Sequence, residues 1–242
     1  MPDLNDDIIA ALKEQIFSMN GYKTFHGKDC GVLPKPFTDP LLSRSFPLGV
    51  IHEFVCAGSE DYAATTGFTA GVLASLMQGG RFAVWISTNS HLFPPAFTTY
   101  GVASERIIFI RLKKENDVLW AMEEALKCDG LAAVIGDVKE LSFTASRRLQ
   151  LAVEDSRVTG FVIRRNIRNL NTTACVTRWK ITHLPTDSED GLPGIGFPHW
   201  NVQLLKIRNG KPLNWQLKFV DGGIKVVPQS SQNIQEVHRK IG

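Results

Sequence analysis

The sequence predicts an α/β fold in which helices cover both faces of a mostly parallel central sheet and antiparallel strands extend its C-terminal edge. Short apolar runs, such as residues 82–86 and 131–135, alternate with helical segments. Continuous apolar runs are typical of parallel strands that are buried on both faces. Near the C-terminus the pair Asn209 and Gly210 separates two further runs, and Asn-Gly favours a two-residue hairpin turn.

The composition is that of a globular protein. The chain has 242 residues, 43% of them hydrophobic and 21% charged, which is enough to bury a sizeable core. A net charge of +3 permits contact with nucleic acid without requiring it. The first residues are acidic and no apolar run approaches the ~20 residues of a membrane span. We therefore expect a cytoplasmic protein without a membrane anchor. The cysteines are far apart and form no C-x-x-C pair, as expected of reduced thiols; they are Cys30, Cys56, Cys128 and Cys175.

We predict three regions along the chain. Residues 1–45 form an N-terminal amphipathic helix and a linker, because residues 4–18 place apolar side chains at helical spacing behind an acidic start. Residues 46–227 form the α/β core. Residues 228–242 are polar and lose apolar periodicity, so we expect a flexible tail.

Apolar spacing predicts the order of elements within the core. The parallel strands are residues 49–55, 82–86, 107–110, 131–135 and 160–163. The helices between them are residues 63–77, 95–100, 116–127 and 144–154. The strands of the antiparallel edge are residues 173–182, 202–207 and 213–220.

The segment after the first strand is a degenerate form of a Walker A phosphate-binding loop. A working loop has the pattern G-x-x-x-x-G-K-[ST], in which the lysine neutralises phosphate and the hydroxyl holds magnesium. Here Thr65 falls at the lysine position, Thr66 keeps the hydroxyl, and Ala64 replaces the second glycine. Gly58 and Ser59 are the other remnants. We expect the loop to keep its shape without its charge, and to bind neither ATP nor magnesium as a cofactor.

A second remnant is the apolar strand that ends at Asp137, which has the form of a Walker B motif. Such an aspartate orients magnesium in active enzymes, although apolar strands also end in Asp at ordinary turns. Asn89 stands where a hydrolysing enzyme would carry the glutamate that activates water, and an amide cannot act as a general base. We therefore expect no enzyme activity.

No other pattern predicts catalysis or metal binding. His52 and Glu53 adjoin on one strand, so their side chains point to opposite faces and a structural role is favoured. His183 and His199 have no cysteine or carboxylate at metal-ligand spacing.

The loop and helix, the Walker-B-like strand and the antiparallel edge together resemble a RecA-like P-loop NTPase core. Within that group, residues 46–54, 177–181 and 196–212 closely resemble the ImuA family, RecA-like accessory proteins of damage-induced mutagenesis in bacteria. The resemblance implies a non-catalytic adaptor in error-prone translesion synthesis. It also implies two partners, an ImuB-like polymerase-family protein and an alternative replicative-type polymerase.

Two other functions remain open at this point. One is an ATP-dependent DNA recombinase or DNA-stimulated ATPase of the RecA type, which Thr65 and Asn89 disfavour. The connections after Val138 and Arg165 are also short where RecA has long loops that hold single-stranded DNA, so strand exchange is not expected. The other function is a modulator of RecA filaments, for which RecA itself would be a partner.

Basic and aromatic residues cluster in the segments that follow the strand ends. Arginine and tryptophan together can hold a phosphate backbone and stack bases, and they are also enriched in protein interfaces. The same residues could simply face solvent. Weak binding of single-stranded DNA, docking of a protein partner and a solvated surface are therefore the three interpretations. The residues concerned are Arg164, Arg165, Arg168, Arg178, Trp179, Lys180 and Trp200.

Overall fold

The computed structural model describes residue 42 and residues 45–88, 92–167, 169–186 and 197–227. A nine-stranded sheet runs through this part of the chain, with α-helices packed against it. The strands are β1 Ile51–Val55, β2 Phe82–Ser87, β3 Ile107–Arg111, β4 Leu131–Val138, β5 Thr159–Arg164, β6 Thr177–His183, β7 His199–Ile207, β8 Leu213–Val220 and β9 Gly223–Val226. The helices are α1 Ser59–Leu76, α2 Glu115–Leu126 and α3 Phe143–Ser156, with 3-10 helices at Pro94–Tyr100 and Ser104–Arg106. The predicted N-terminal helix and C-terminal tail lie outside the described residues.

The sheet has the predicted mixed character. Its strand order is β3-β2-β4-β5-β1-β6-β7-β8-β9. Strands β1 to β6 pair in parallel. Helical segments carry the chain back to the same end of the sheet between β1 and β5, and an irregular connection does so before β6. Strands β7, β8 and β9 continue from β6 in antiparallel pairs. Strand β6 is therefore the junction between the two halves.

The antiparallel edge differs from the prediction in its strand bounds, its turn and one added strand. Strand β6 begins at Thr177 rather than at residue 173, and β7 begins at His199 rather than at residue 202. Strands β7 and β8 form the expected hairpin, but residues 208–212 connect them in place of a two-residue turn. Asn209 has the expected positive φ of 61°, while Pro212 has no N–H to extend the pairing. The short strand β9 was not predicted, because four residues containing Lys225 give too little apolar periodicity.

The core has one layer on each face of the sheet. On the first face α1 covers a largely aromatic layer that includes Phe54, Phe68 and Trp85. On the second face α2 and α3 cover a largely aliphatic layer. Helix α1 lies close to its neighbours at Gly67, where an added Cβ would stand 2.5 Å from the hydroxyl oxygen of Tyr100. A side chain at that position would therefore require the Tyr100 ring to move.

His52 is part of the aromatic layer. Its Nε2 lies 2.8 Å from the carbonyl oxygen of Pro47, and because a carbonyl only accepts, Nε2 carries the proton. Nδ1 then accepts a hydrogen bond of 2.7 Å from the hydroxyl of Thr177, which itself accepts one of 2.8 Å from Nε1 of Trp179. The ring of Phe46 stacks on the imidazole at 4.2 Å between centroids. The structural role predicted for His52 is therefore confirmed.

The neutral state of His52 predicts a specific loss of stability in acid. Burial lowers the pKa of His52 from its ordinary 6.5 to about 3. Below pH 6.5 the unfolded chain therefore binds a proton that the folded chain does not bind. The free energy of unfolding then falls by about 1.4 kcal/mol per pH unit. Urea unfolding at pH 7.5 and pH 5.5 should show a loss of about 1.4 kcal/mol from this residue.

The matched variant is His52→Gln, whose amide can still donate to Pro47 but does not titrate. Its stability should change less between the two pH values than that of the native chain. Equal pH dependence in the two proteins would contradict a buried neutral His52.

Candidate functional site

The connection from β1 to α1 differs from a phosphate-binding loop. Strand β1 ends at Val55 and α1 begins at Ser59, directly after its N-cap Gly58. The expectation that the loop keeps its shape was wrong, because α1 begins six residues before Thr65. Thr65 is fully buried within the helix and accepts a hydrogen bond from the thiol of Cys56 at 3.4 Å. The predicted remnants Gly58, Ser59, Thr65 and Thr66 thus form the start and the second turn of a helix rather than a phosphate cradle.

The first turn of α1 carries two carboxylates. A helix N-terminus favours anions, because its first N–H groups are unpaired and its dipole is positive there. Glu60 and Asp61 lie in the first turn of α1, and the Asp61 carboxylate accepts a hydrogen bond of 3.0 Å from the backbone N–H of Ala57. A phosphate group in this position would meet these negative charges.

Asp137 lies at the carboxyl end of β4, where the Walker B comparison places it, and it is fully buried. Its Oδ2 accepts hydrogen bonds from the Tyr62 hydroxyl at 2.9 Å and the Ser87 hydroxyl at 3.0 Å. Its Oδ1 pairs with Nε of Arg165. Burial raises the pKa of Asp137, although the guanidinium and the two hydroxyls act in the opposite direction. Arg165, a residue of this chain, thus supplies the positive charge beside the Asp137 carboxylate.

Arg165 is held by more than one partner. Its Nη2 donates to the hydroxyl of Thr88 at 3.2 Å and lies 3.7 Å from a carboxylate oxygen of Glu115. Burial also raises the pKa of the Tyr62 hydroxyl, so that group stays protonated and donates to Asp137. The sequence comparison predicted the position of Asp137 and missed both Tyr62 and the pairing with Arg165.

A second buried cluster surrounds Glu53 on the opposite face of the sheet. The Glu53 carboxylate is fully buried and accepts hydrogen bonds from Arg164 Nη1 at 2.7 Å and Arg178 Nε at 2.9 Å. The hydroxyl of Thr173 donates to it at 2.6 Å. Sequence reasoning missed this cluster. Its signal was a glutamate within a buried strand, because an ionised carboxylate is buried only with cationic or hydrogen-bonding partners.

The structure corrects the predicted DNA or partner surface. Trp179 is 0% exposed, Trp200 3% and Arg164 4%, and Arg178 is buried against Glu53. These side chains are part of the core, because α1 and α2–α3 cover both faces of the sheet where they lie. They therefore cannot stack bases or anchor a partner on the surface.

The other residues of the predicted DNA or partner surface do not lie together. Arg165 is mostly buried against Asp137, and Lys180 is half-buried on β6. Arg168 and Asn89 lie outside the described residues.

In the described ranges, no group of three or more His, Cys, Asp or Glu side chains could hold a metal ion. No helix in those ranges has the length and apolar character needed to cross a membrane.

Comparisons with known proteins support the fold and identify relatives. No family model matches the chain. The chain is 31% identical over 204 residues to Protein ImuA from two strains of Caulobacter vibrioides, NA1000 / CB15N and CB 15, an alignment that covers 77% of this chain and 84% of each relative. Among solved structures it resembles a KaiC-like protein from the archaeon Pyrococcus horikoshii OT3, with a TM-score of 0.55 and 14% identity over 82% of this chain and 98% of that chain. The predicted RecA-like fold is confirmed.

The pairing of Asp137 with Arg165 predicts a large and non-additive effect of mutation. Arg165→Ala should lower the free energy of unfolding by about 3 kcal/mol, because it leaves a buried carboxylate without its cation. In the double variant with Asp137→Ala, about 2 kcal/mol of the summed loss should be recovered. Urea unfolding of the four proteins measures this coupling.

The control is Arg148→Ala, since Arg148 pairs with Glu123 at 2.7 Å but its side chain is 60% exposed. Its effect should stay within about 0.5 kcal/mol. If Arg165→Ala is as mild as this control, the buried ion pair does not contribute as described.

Proposed function

The chain belongs to the ImuA family, and from this membership we propose that it is a non-catalytic RecA-like adaptor in damage-induced, error-prone DNA repair. In this proposal it docks an ImuB-like polymerase-family protein and works beside an alternative replicative-type polymerase. The chain supplies binding surfaces rather than phosphoryl transfer. Contact with single-stranded DNA, where it occurs, is weak.

One observation carries the proposal. At the two positions where a nucleotide-dependent relative would meet magnesium or phosphate, this chain places charged groups of its own. The Asp137 carboxylate accepts hydrogen bonds from Arg165, Tyr62 and Ser87, and Asp61 adds a carboxylate to the first turn of α1. Phosphoryl transfer depends almost wholly on positioning and on stabilising charge. Asp137 and Arg165 already neutralise each other, so they cannot position a phosphate or stabilise its charge without rearrangement.

The rival function is a DNA-stimulated ATPase of the RecA type. It would require Arg165 to leave Asp137, and it would require Glu60 and Asp61 to give way to phosphate. A modulator of RecA filaments is compatible with the same geometry, and it differs from the adaptor only in its partner. Binding assays with an ImuB-like protein and with RecA, run separately, distinguish these two functions.

We expect the isolated protein not to bind ATP at micromolar concentration. Calorimetric titration with ATP and magnesium should give no binding heat, because no lysine offsets the phosphate charge and the carboxylates of α1 repel it. Thr65→Lys, which restores the lysine in sequence, should not restore binding, since position 65 is buried inside α1. A dissociation constant below ~10 μM would overturn this proposal. ATP turnover that Asp137→Ala abolishes would have the same consequence.

We expect the full chain to capture an ImuB-like partner in a pull-down with purified proteins. Deletion of residues 1–20 or of residues 228–242 should weaken capture, because the first segment carries an apolar helical stripe and the second is polar enough to order on a partner. Circular dichroism and urea unfolding of each truncated protein test whether its core stays folded. Failure of the full chain to capture the partner contradicts the adaptor role. If each truncated protein captures the partner as well as the full chain does, the docking surface lies on residues 21–227 instead.

A further inference from the structure

The antiparallel part of the sheet has helices on one face only. On the first face β6 to β9 contribute to the aromatic layer under α1, where Trp200 and Trp215 are buried. On the second face α2 and α3 pack on β1, β2, β4 and β5, and no described helix packs over β7, β8 and β9. We call the second face of β6 to β8 the open face. Its residues are Lys180, Asn201, Gln203, Asn214, Gln216 and Lys218.

The centre of the open face is an array of four carboxamides. Asn201 lies opposite Gln216 in the pairing of β7 with β8, and Gln203 lies opposite Asn214. Directly opposite residues of paired strands share a face, with their Cβ atoms about 5 Å apart. In the described part of the chain, no hydrogen bond holds any of these four side chains. Their N–H donors and oxygen acceptors are therefore available to a ligand.

The charges on these strands are all positive. Strands β6 to β9 contain lysine and arginine but neither Asp nor Glu. Lys180 lies on β6 at one end of the open face, and Lys218 lies opposite Lys225 at the other end. Lys225 pairs with Asp221 of the following turn, but both side chains are more than half exposed, and such pairs are weak. The acidic residues 187, 189 and 190 lie outside the described residues. Within the described strands, no carboxylate offsets the positive field of the open face.

The position of the aromatic residues decides between two classes of anionic partner. Proteins that bind single-stranded nucleic acid combine cations with aromatic side chains on which the bases stack. The aromatic residues of β6 to β8 lie on the opposite face and are at most 6% exposed; they are Trp179, Trp200, Trp215 and Phe219. The open face offers lysines and carboxamides instead. These groups suit the carboxylates and the backbone amides of a protein segment.

The dimensions of the open face indicate the length of such a segment. Lys180 is in the row of Gln203, and Lys218 is two rows further along the strands and two strands away. Rows are about 7 Å apart and strands about 4.8 Å apart, so the two lysines are separated by about 17 Å. An extended segment of about five residues covers this distance.

We propose that the open face binds an acidic segment of a protein partner. The segment lies extended across the four carboxamides, and its Asp or Glu side chains pair with Lys180 and Lys218. The proposal rests on strand pairing and charge, so it does not depend on the adaptor role.

The test uses a fluorescein-labelled peptide of five Ser-Glu repeats, titrated with the full chain and followed by fluorescence anisotropy. The acidic peptide should bind at ~50 mM salt, and a peptide of five Ser-Gln repeats should not. Lys180→Gln and Lys218→Gln should each weaken binding about threefold, because each removes one cation from the face. The matched control is Lys113→Gln, an exposed position after β3, which should have no effect.

A double variant tests the carboxamides separately from the charge. Asn201→Thr with Gln203→Thr removes two amides and keeps the strand, because threonine favours strands and carries no charge. This variant should weaken binding of the acidic peptide by about fivefold. Circular dichroism and urea unfolding establish that every variant is folded.

A thymidine decanucleotide is titrated in parallel. If it binds as tightly as the acidic peptide and the lysine variants weaken it, the open face belongs to nucleic acid and the proposal is overturned. The same conclusion follows if the acidic peptide does not bind at ~1 mM, or if it binds all variants alike. Analytical ultracentrifugation tests the remaining occupant. A dimer that both lysine variants dissociate would assign the face to a second copy of this chain and overturn the proposal.

Discussion

The buried pairing of Glu53 with Arg164 and Arg178 is the constraint on which the rest of the structure depends. Glu53 lies on the central strand β1, and its two arginines lie on the neighbouring strands β5 and β6. A fully buried carboxylate is tolerated only with well-placed cationic donors. The cluster therefore fixes β5 and β6 against β1 at the place where the sheet changes from parallel to antiparallel.

Consecutive arginines at the end of β5 connect this cluster to the remnant of the nucleotide site. Successive side chains of a strand point to opposite faces. Arg164 therefore reaches Glu53 on the face that α2 and α3 cover, while Arg165 reaches Asp137 on the face of α1. The end of β5 thus supplies a cation to each side of the sheet. It also forms one wall of a cavity between β4, β5 and α3.

The segment after β1 differs from a Walker A loop in more than the missing lysine. The chain between β1 and α1 is shorter than a phosphate loop, the helix begins earlier, and its first turn is acidic. A guanidinium pairs with the Walker B carboxylate. Arg165 pairs with the Asp137 carboxylate, and Asp61 accepts the backbone N–H of Ala57, so both carboxylates have partners within the chain. In the adaptor role that we propose, such a core would hold the binding surfaces in place without a nucleotide.

The sequence by itself determined the class of fold, the succession of strands β1 to β8 and the helices along the chain, and the absence of the Walker lysine, because these follow from local periodicity and residue identity. It did not determine which polar residues are buried. Trp179, Trp200, Arg164 and Arg178 have the composition of a binding surface, and only the packing of helices on both faces of the sheet placed them in the core. Likewise, Asp137 could be read as a metal ligand until Arg165 and Tyr62, distant in sequence, were found beside it. Pairing and burial depend on contacts between residues far apart in the chain, and tertiary structure alone decides those contacts.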